Sequence, residues 1–293
     1  MRESGLAYQL IAPDETIINI NNSFTADGYY MKYDGLLFQT GARMEMADRA
    51  QQHGSYIDPS HKTGMTGSIE IMLLGSTAAS RQSLQDNLVK VLDQLHGSEG
   101  TGRLVWEPQD GSAERAIFGL QLAEAYQFAY HAGMMKSCHI LLSSEKPYAE
   151  LSTTTNVDTS TVTSEGSGWE IPLTIPFTLV TGGGGLSTVQ NSGSVVGYPV
   201  MQVYGPINNF TIANLTDGYS LTFSGSIADG DYWTIDLFER TVLDAAGNNV
   251  IGTFDAANSQ WFGFRPGNVD MQISGAGTGT NTKLRVLQSS YWG

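Results

Sequence analysis

Residues able to do chemistry are sparse in this chain of 293 residues. His131, Cys138 and His139 lie close enough together to suggest metal ligands or a cysteine and histidine nucleophile pair. Zinc sites, however, draw paired ligands at tight spacing from two places in a chain, and the single cysteine has no recurring motif around it. His53 and His61 flank a loop without a carboxylate at a diagnostic spacing and read as surface or interface residues. Asp229-Gly230-Asp231 suggests a calcium loop, but the twelve-residue ligand pattern with its closing Glu is missing. A turn feeding the next strand explains that triplet better. Gly182 to Gly185 lacks the Gly-Lys-Ser/Thr ending of a phosphate loop, and no helix pattern follows it. A glycosidase needs two carboxylates at a set distance in space, and no motif marks such a pair. The expectation is no catalytic, cofactor-binding or metal-ligating residue, and a protein that works through shape and contact.

Composition narrows the partners. With 15 basic against 29 acidic residues and a formal charge of −14, specific nucleic-acid binding is not expected, because neutralising phosphates takes clustered Lys and Arg. The lone cysteine rules out an intramolecular disulfide and suits a reducing compartment. No apolar run is long enough to cross a membrane, and Met1 to Gly5 lack the apolar core of a signal peptide. Synthesis in the cytoplasm without membrane insertion is the expectation. Asn-x-Ser/Thr triplets at Asn21, Asn209 and Asn214 are then chance matches. Few charged residues and 34 glycines point to turn-rich β structure.

Tyr8 to Ile20 reads as strand interrupted by a turn at Pro13-Asp14, and residues 21–68 as strands joined by long loops. Ser68 to Leu74 alternates, with Ile69, Ile71 and Leu73 on one face. The strong helix follows. Leu84, Leu88, Val91, Leu92 and Leu95 form one stripe at the 3.6 period, which predicts a helix from about Thr77 to His96. A cap among Ser76, Thr77 and Ser80 would start it, and Gly97 would stop it. Arg103 to Glu107, an Asp110-Gly111 turn and Arg115 to Leu122 spell a hairpin. Tyr126, Phe128 and Tyr130 alternate, and Cys138 to Leu142 is a further short strand. One helix on a mainly antiparallel sheet is the architecture expected of this half.

Ala149 to Gly168, dominated by Ser and Thr, reads as an exposed arm. Trp169 to Leu179 alternates without a miss, and Pro172 and Pro176 on its other face place it at an edge or a bulge. The predicted domains are residues 1–181, a glycine-rich linker at 182–196, and residues 197–293. In the last of these, Tyr198-Pro199 opens a strand closed by Gly205-Pro206. Tyr219 to Phe223 and Tyr232 to Leu237 alternate, the latter with Trp233, Ile235 and Leu237 on one face. Asp244 to Asn249 reverses the chain, and Arg265-Pro266-Gly267-Asn268 predicts a type II turn. That turn would join an arm holding Phe262 and Phe264 to one holding Val269, Met271 and Ile273.

The series of elements in this last domain resembles the C-terminal domain of the distal tail proteins of long-tailed bacteriophages. It comprises the Tyr198-Pro199 strand with Gly205-Pro206, the segment Phe210 to Gly218, and Gly230-Asp231 before Ile235-Asp236. Arg240-Thr241-Val242, Arg265 to Asn268 and a basic, aromatic end from Lys283 to Trp292 complete it. The glycine-rich turn Gly275 to Gly279 departs from the pattern. In the first half the resemblance rests on element order.

The resemblance implies a mainly β protein, with an α+β N-terminal domain that builds a homohexameric ring and a C-terminal galectin-like β-sandwich. It also implies a structural hub of the virion tail tip, without catalytic activity, joining the tail tube protein to tail-associated and receptor-binding proteins. Two rival readings are a carbohydrate-binding host-recognition module using Tyr219, Tyr232, Trp233 or Trp261, and a cell-wall hydrolase.

Overall fold

The computed structural model describes residues 8–21, 27–32, 37–43, 46–48, 55–57, 61–96, 101–108, 111–130, 135–153, 156–159, 185–287 and 290–293. Contacts divide the chain into two units, residues 1–153 with Gly293, and residues 154–292.

The first unit begins with the hairpin of β1 (Tyr8–Ile11) and β2 (Ile17–Asn21). Its turn falls where Pro13-Asp14 predicts it. The Asp14 carboxylate accepts the Thr16 amide at 2.9 Å, and Glu15 takes a positive φ of 64°. Then come β3 (Gly28–Met31), β4 (Leu37–Arg43), β5 (Met46–Asp48), β6 (Ser55–Ile57) and β7 (His61–Leu74). β7 is longer than the expected strand because residues 61–67 also pair, with β4. After α1 (Ala78–Gln94) follow β8 (Gly102–Trp106), β9 (Arg115–Leu122), β10 (Gln127–Tyr130), β11 (Met135–Ser144) and β12 (Ala149–Leu151).

These strands close on themselves. The order β11-β7-β3-β2-β1-β8-β9 returns to β11 through the pairing of Leu142 to Ser144 with Leu120 to Leu122. Closure pairs the two ends of this order with each other, covering backbone groups that an open edge would leave unpaired there. The expected sheet is therefore a barrel.

Helix α1 starts at a capping box. Thr77 Oγ1 accepts the Ser80 amide at 3.0 Å, and Ser80 Oγ accepts the Thr77 amide at 3.3 Å. Leu88, Val91, Leu92 and Leu95 are fully buried in one core with Leu10, Ile20, Ile71, Leu104 and Ile140 from the strands. Gly97, expected to stop the helix, and Asp110, expected to turn the hairpin, lie outside the described residues.

The second unit holds β13 (Asn156–Asp158), β14 (Gly185–Asn191), β15 (Val200–Tyr204), β16 (Ile207–Asn214) and β17 (Tyr219–Ile227). It continues with β18 (Tyr232–Asp236), β19 (Thr241–Asp244), β20 (Gly267–Ala276), β21 (Lys283–Leu287) and β22 (Tyr291–Trp292). One sheet runs β13-β21-β15-β18-β19, and another runs β14-β20-β16-β17. Both feed one core, with Val203, Ile235 and Val286 from the first and Ile212, Leu221 and Met271 from the second. At its centre Phe210 stacks on Phe223 at 5.0 Å, and Trp233 meets Phe210 edge-on at 5.6 Å.

Four expectations change here. The units divide between residues 153 and 154, not at residue 181. The glycine-rich stretch 182–196, expected as a linker, contains β14, paired residue by residue with β20. The exposed arm expected from Ala149 contains β12 and β13, each paired in a sheet. No hairpin forms about Arg265 to Asn268. Gly267 takes the expected positive φ, of 105°, but β20 pairs with β14 and β16, while Phe262 and Phe264 reach the core from a non-strand segment. The glycine-rich turn Gly275 to Gly279 leads from β20 in one sheet to β21 in the other, so it joins sheets and closes no hairpin. The alternating stretch Trp169 to Leu179 lies outside the described residues.

Asn191 ties this unit's ends together. Its Nδ2 donates to the Val195 and Phe264 carbonyls at 3.0 and 2.9 Å, and its Oδ1 accepts the Gly193 and Tyr291 amides at 3.0 and 3.1 Å. A buried amide must use this capacity, because each unmet group costs about 1–3 kcal/mol.

Candidate functional site

Cys138 sits on β11 with its side chain fully buried in the barrel core. Burial pushes its thiol up to about 12, which suppresses the reactive thiolate. His139, one residue on, is exposed. Successive strand residues point to opposite faces, so the two cannot form a nucleophile pair. His131 and His53 lie outside the described residues, and His61 opens β7. Asp229 accepts a hydrogen bond from Asn281 at 2.9 Å, and Asp231 from the Tyr232 amide at 2.9 Å. With Gly230 at φ 82° between them, the triplet is a turn feeding β18. Among the described residues no three His, Cys, Asp or Glu side chains gather as a metal site would require. No helix among them is long and apolar enough to cross a membrane.

The four aromatics of the sugar-binding rival do not share a face. Trp233 is core, Trp261 is half-buried against Phe254 at 5.0 Å, and Tyr219 is exposed on β17. Tyr232 leans on Tyr204 at 5.4 Å on the five-stranded sheet.

Around Tyr204 lies a set of interacting charges in the second unit. Lys283 and Arg285 alternate with the buried Leu284 and Val286, so both present their charges on the sheet's outer face. The Lys283 ammonium and the Arg285 guanidinium each stand 5.3 Å from the Tyr204 ring centre. Asp158 on β13 receives both. Arg285 Nε and Nη2 donate to it at 2.6 and 3.0 Å, and Lys283 Nζ at 2.7 Å. The Arg285 hydrogen bonds, with help from Lys283, lower the Asp158 carboxyl from 3.8 to about 2. A carboxyl lowered on folding favours the folded pairing above its unfolded value. That contribution fades as pH falls from about 4 towards 2.

Sequence reading noted the basic end strand but missed its carboxylate. Its only trace is one Asp beside Val157 in a run of Ser and Thr.

No protein-family model matches the chain, and no curated protein matches it. Solved structures do. A chain of the phage P2 baseplate in its activated conformation with Ca is 12% identical and covers 97% of this chain and 98% of its own, with a TM-score of 0.47. The Dit protein (gp 19.1) of phage SPP1, a paradigm of the hub adsorption apparatus in phages infecting Gram-positive bacteria, aligns with a TM-score of 0.56 at 12% identity. That alignment covers 96% of this chain and 98% of Dit, so the chain carries the fold of SPP1 Dit over nearly its whole length.

Proposed function

We propose that this chain is a structural hub protein of a phage tail tip. It forms a closed ring that joins the tail tube to the parts that recognise the host. The observation that carries this reading is the fold shared with SPP1 Dit over 96% of this chain, a span that takes in both units. Fold alone does not assign function. The residue series running from Tyr198-Pro199 to Lys283 to Trp292 is a second line of support, because it comes from the sequence and not from the alignment of shapes.

In this reading the first unit builds the wall of a homohexameric ring, and the second is a galectin-like β-sandwich that projects from it. Head-to-tail contacts must close on themselves or they propagate as filaments. Contact with neighbouring copies falls in the segment from β4 to β6, where β5 and β6 pair with each other and with no other described strand. The tail tube protein and the tail-associated and receptor-binding proteins are the other partners. The protein is made in the host cytoplasm, resides in the virion at the tail tip, binds no cofactor and catalyses no reaction. Its acidic balance suits a channel through which DNA slides without sticking, since such a lining offers phosphates no counter-charge.

Light scattering of the purified full chain over a range of concentrations tests the oligomer. The expected mass is six times the 31.6 kDa of one chain. A stable dimer at every concentration would contradict a ring.

A further inference from the structure

One side of β21 is committed to β15, which it pairs from Val200 to Tyr204. On the other side Leu284 accepts the Thr159 amide on its carbonyl at 2.8 Å and donates its own amide to Thr159 Oγ1 at 3.0 Å. Lys283 and Arg285, the residues flanking Leu284, both reach the Asp158 carboxylate. This edge therefore presents a donor, an acceptor and two cations within three residues.

The cations do not depend on Asp158 for their placement. The Lys283 ammonium and the Arg285 guanidinium both lie over the Tyr204 ring, and Arg285 Nη1 donates to the Tyr204 hydroxyl at 3.3 Å. That hydroxyl donates in turn to Gln202 Oε1 at 2.9 Å. Tyr204 and Gln202 belong to β15, so the neighbouring strand orients both cations from behind. Two cations meet one carboxylate here, in a chain of formal charge −14. Such a site selects an acidic segment, and the fork of Arg285 fixes where its carboxylate must lie.

The segment that fills the edge is held lightly. β13 has three residues and, among the described residues, β21 as its one strand partner. Its apolar side chain, Val157, is only partly buried against the core. The Asp158 side chain remains 34% exposed, so water and salt weaken the clamp.

We propose that the outer edge of β21 is a strand-acceptor site for an extended acidic segment in which an aspartate precedes a threonine, filled within this chain by Asn156 to Thr159. Recognition is by strand addition, in which backbone hydrogen bonds supply affinity and side chains at fixed positions supply selectivity. The aspartate answers Lys283 and Arg285, and the threonine hydroxyl answers the Leu284 amide. A peptide with that pair is the partner that the site fits. It competes poorly with β13 while β13 is in place, because a segment of the same chain acts at a high effective concentration. The site lies within the second unit and does not require a ring to form.

Amide hydrogen exchange on the full chain tests this, comparing the native protein with Asp158→Lys, whose reversed charge expels β13 from the two cations. The expected result is at least tenfold faster exchange for Leu284, with Met201, Val203 and Ile235 unchanged. A synthetic peptide with the sequence of residues 155–160, Thr-Asn-Val-Asp-Thr-Ser, should restore slow exchange at Leu284 in that variant when added in large excess. The same peptide with Asn for Asp should not. Thr159→Val, which keeps the charges and removes the hydroxyl, should speed exchange at Leu284 alone. Unchanged exchange at Leu284 in Asp158→Lys would overturn the proposal. So would acceleration of the core amides by the same factor, which would make β13 an integral strand, and so would failure of the Asp peptide to protect Leu284 or equal protection by the two peptides.

Discussion

Phe210→Ala lowers the stability of the second unit by about 3–5 kcal/mol, the range for emptying a buried aromatic site. Phe210 is fully buried, stacked on Phe223, met edge-on by Trp233, and shared by the core of both sheets. Removing it opens a cavity that its own sheet cannot collapse into, since β16 is held in register by β17 and β20. Urea unfolding followed by tryptophan fluorescence measures the change, and Trp233 lies close enough to report it. Tyr219, exposed at the start of β17, is the control, and Tyr219→Ala should shift stability by no more than about 0.5 kcal/mol. An unchanged midpoint for Phe210→Ala would mean that the two sheets do not share a core.

The corresponding change in the first unit is Leu88→Ala, with an expected loss of about 2–5 kcal/mol. Leu88 lies in the middle of the buried stripe of α1, one turn before Leu92 and within the barrel's core cluster. Lys90 is exposed on the same helix, and Lys90→Ala should leave the denaturation midpoint in place. Equal midpoints for Leu88→Ala and the native chain would show that the helix does not seal the barrel.

Local signals in the sequence carried α1 and the first hairpin because their determinants are local. The stripe from Leu84 to Leu95 repeats at the helical period, and Pro13-Asp14 turns the chain between two apolar runs. Pairings between distant residues were not legible. Barrel closure depends on Leu142 meeting Leu122 while the same strand also pairs with β7 and β10, and nothing in the residues themselves announces a strand with three partners.

Strand β14 was hidden by its own inward face. The positions turned to the core are Gly185, Ser187, Val189 and Asn191, while Leu186 points out and is 51% exposed. The usual alternation is therefore reversed or absent, and glycine content alone suggested a linker. The alternation of Phe262 and Phe264 suggested a hairpin arm next to β20 for the opposite reason. Both rings are buried, but β20 takes its hydrogen bonds from β14 and β16, far away in the chain. The clamp at Asp158 was missed because an ion pair across 125 residues, such as Lys283 with Asp158, leaves no spacing to recognise.

A hub at the end of a tail tube has to be found there. Electron cryomicroscopy of the tail tip in particles that carry this chain is the most direct measurement. A closed annulus at the distal end of the tube, six copies around, with the barrel unit in its wall and the two-sheet unit outside it, is the predicted result. A tail whose distal ring is built by another protein, with this chain elsewhere in the particle or missing from it, would contradict the account.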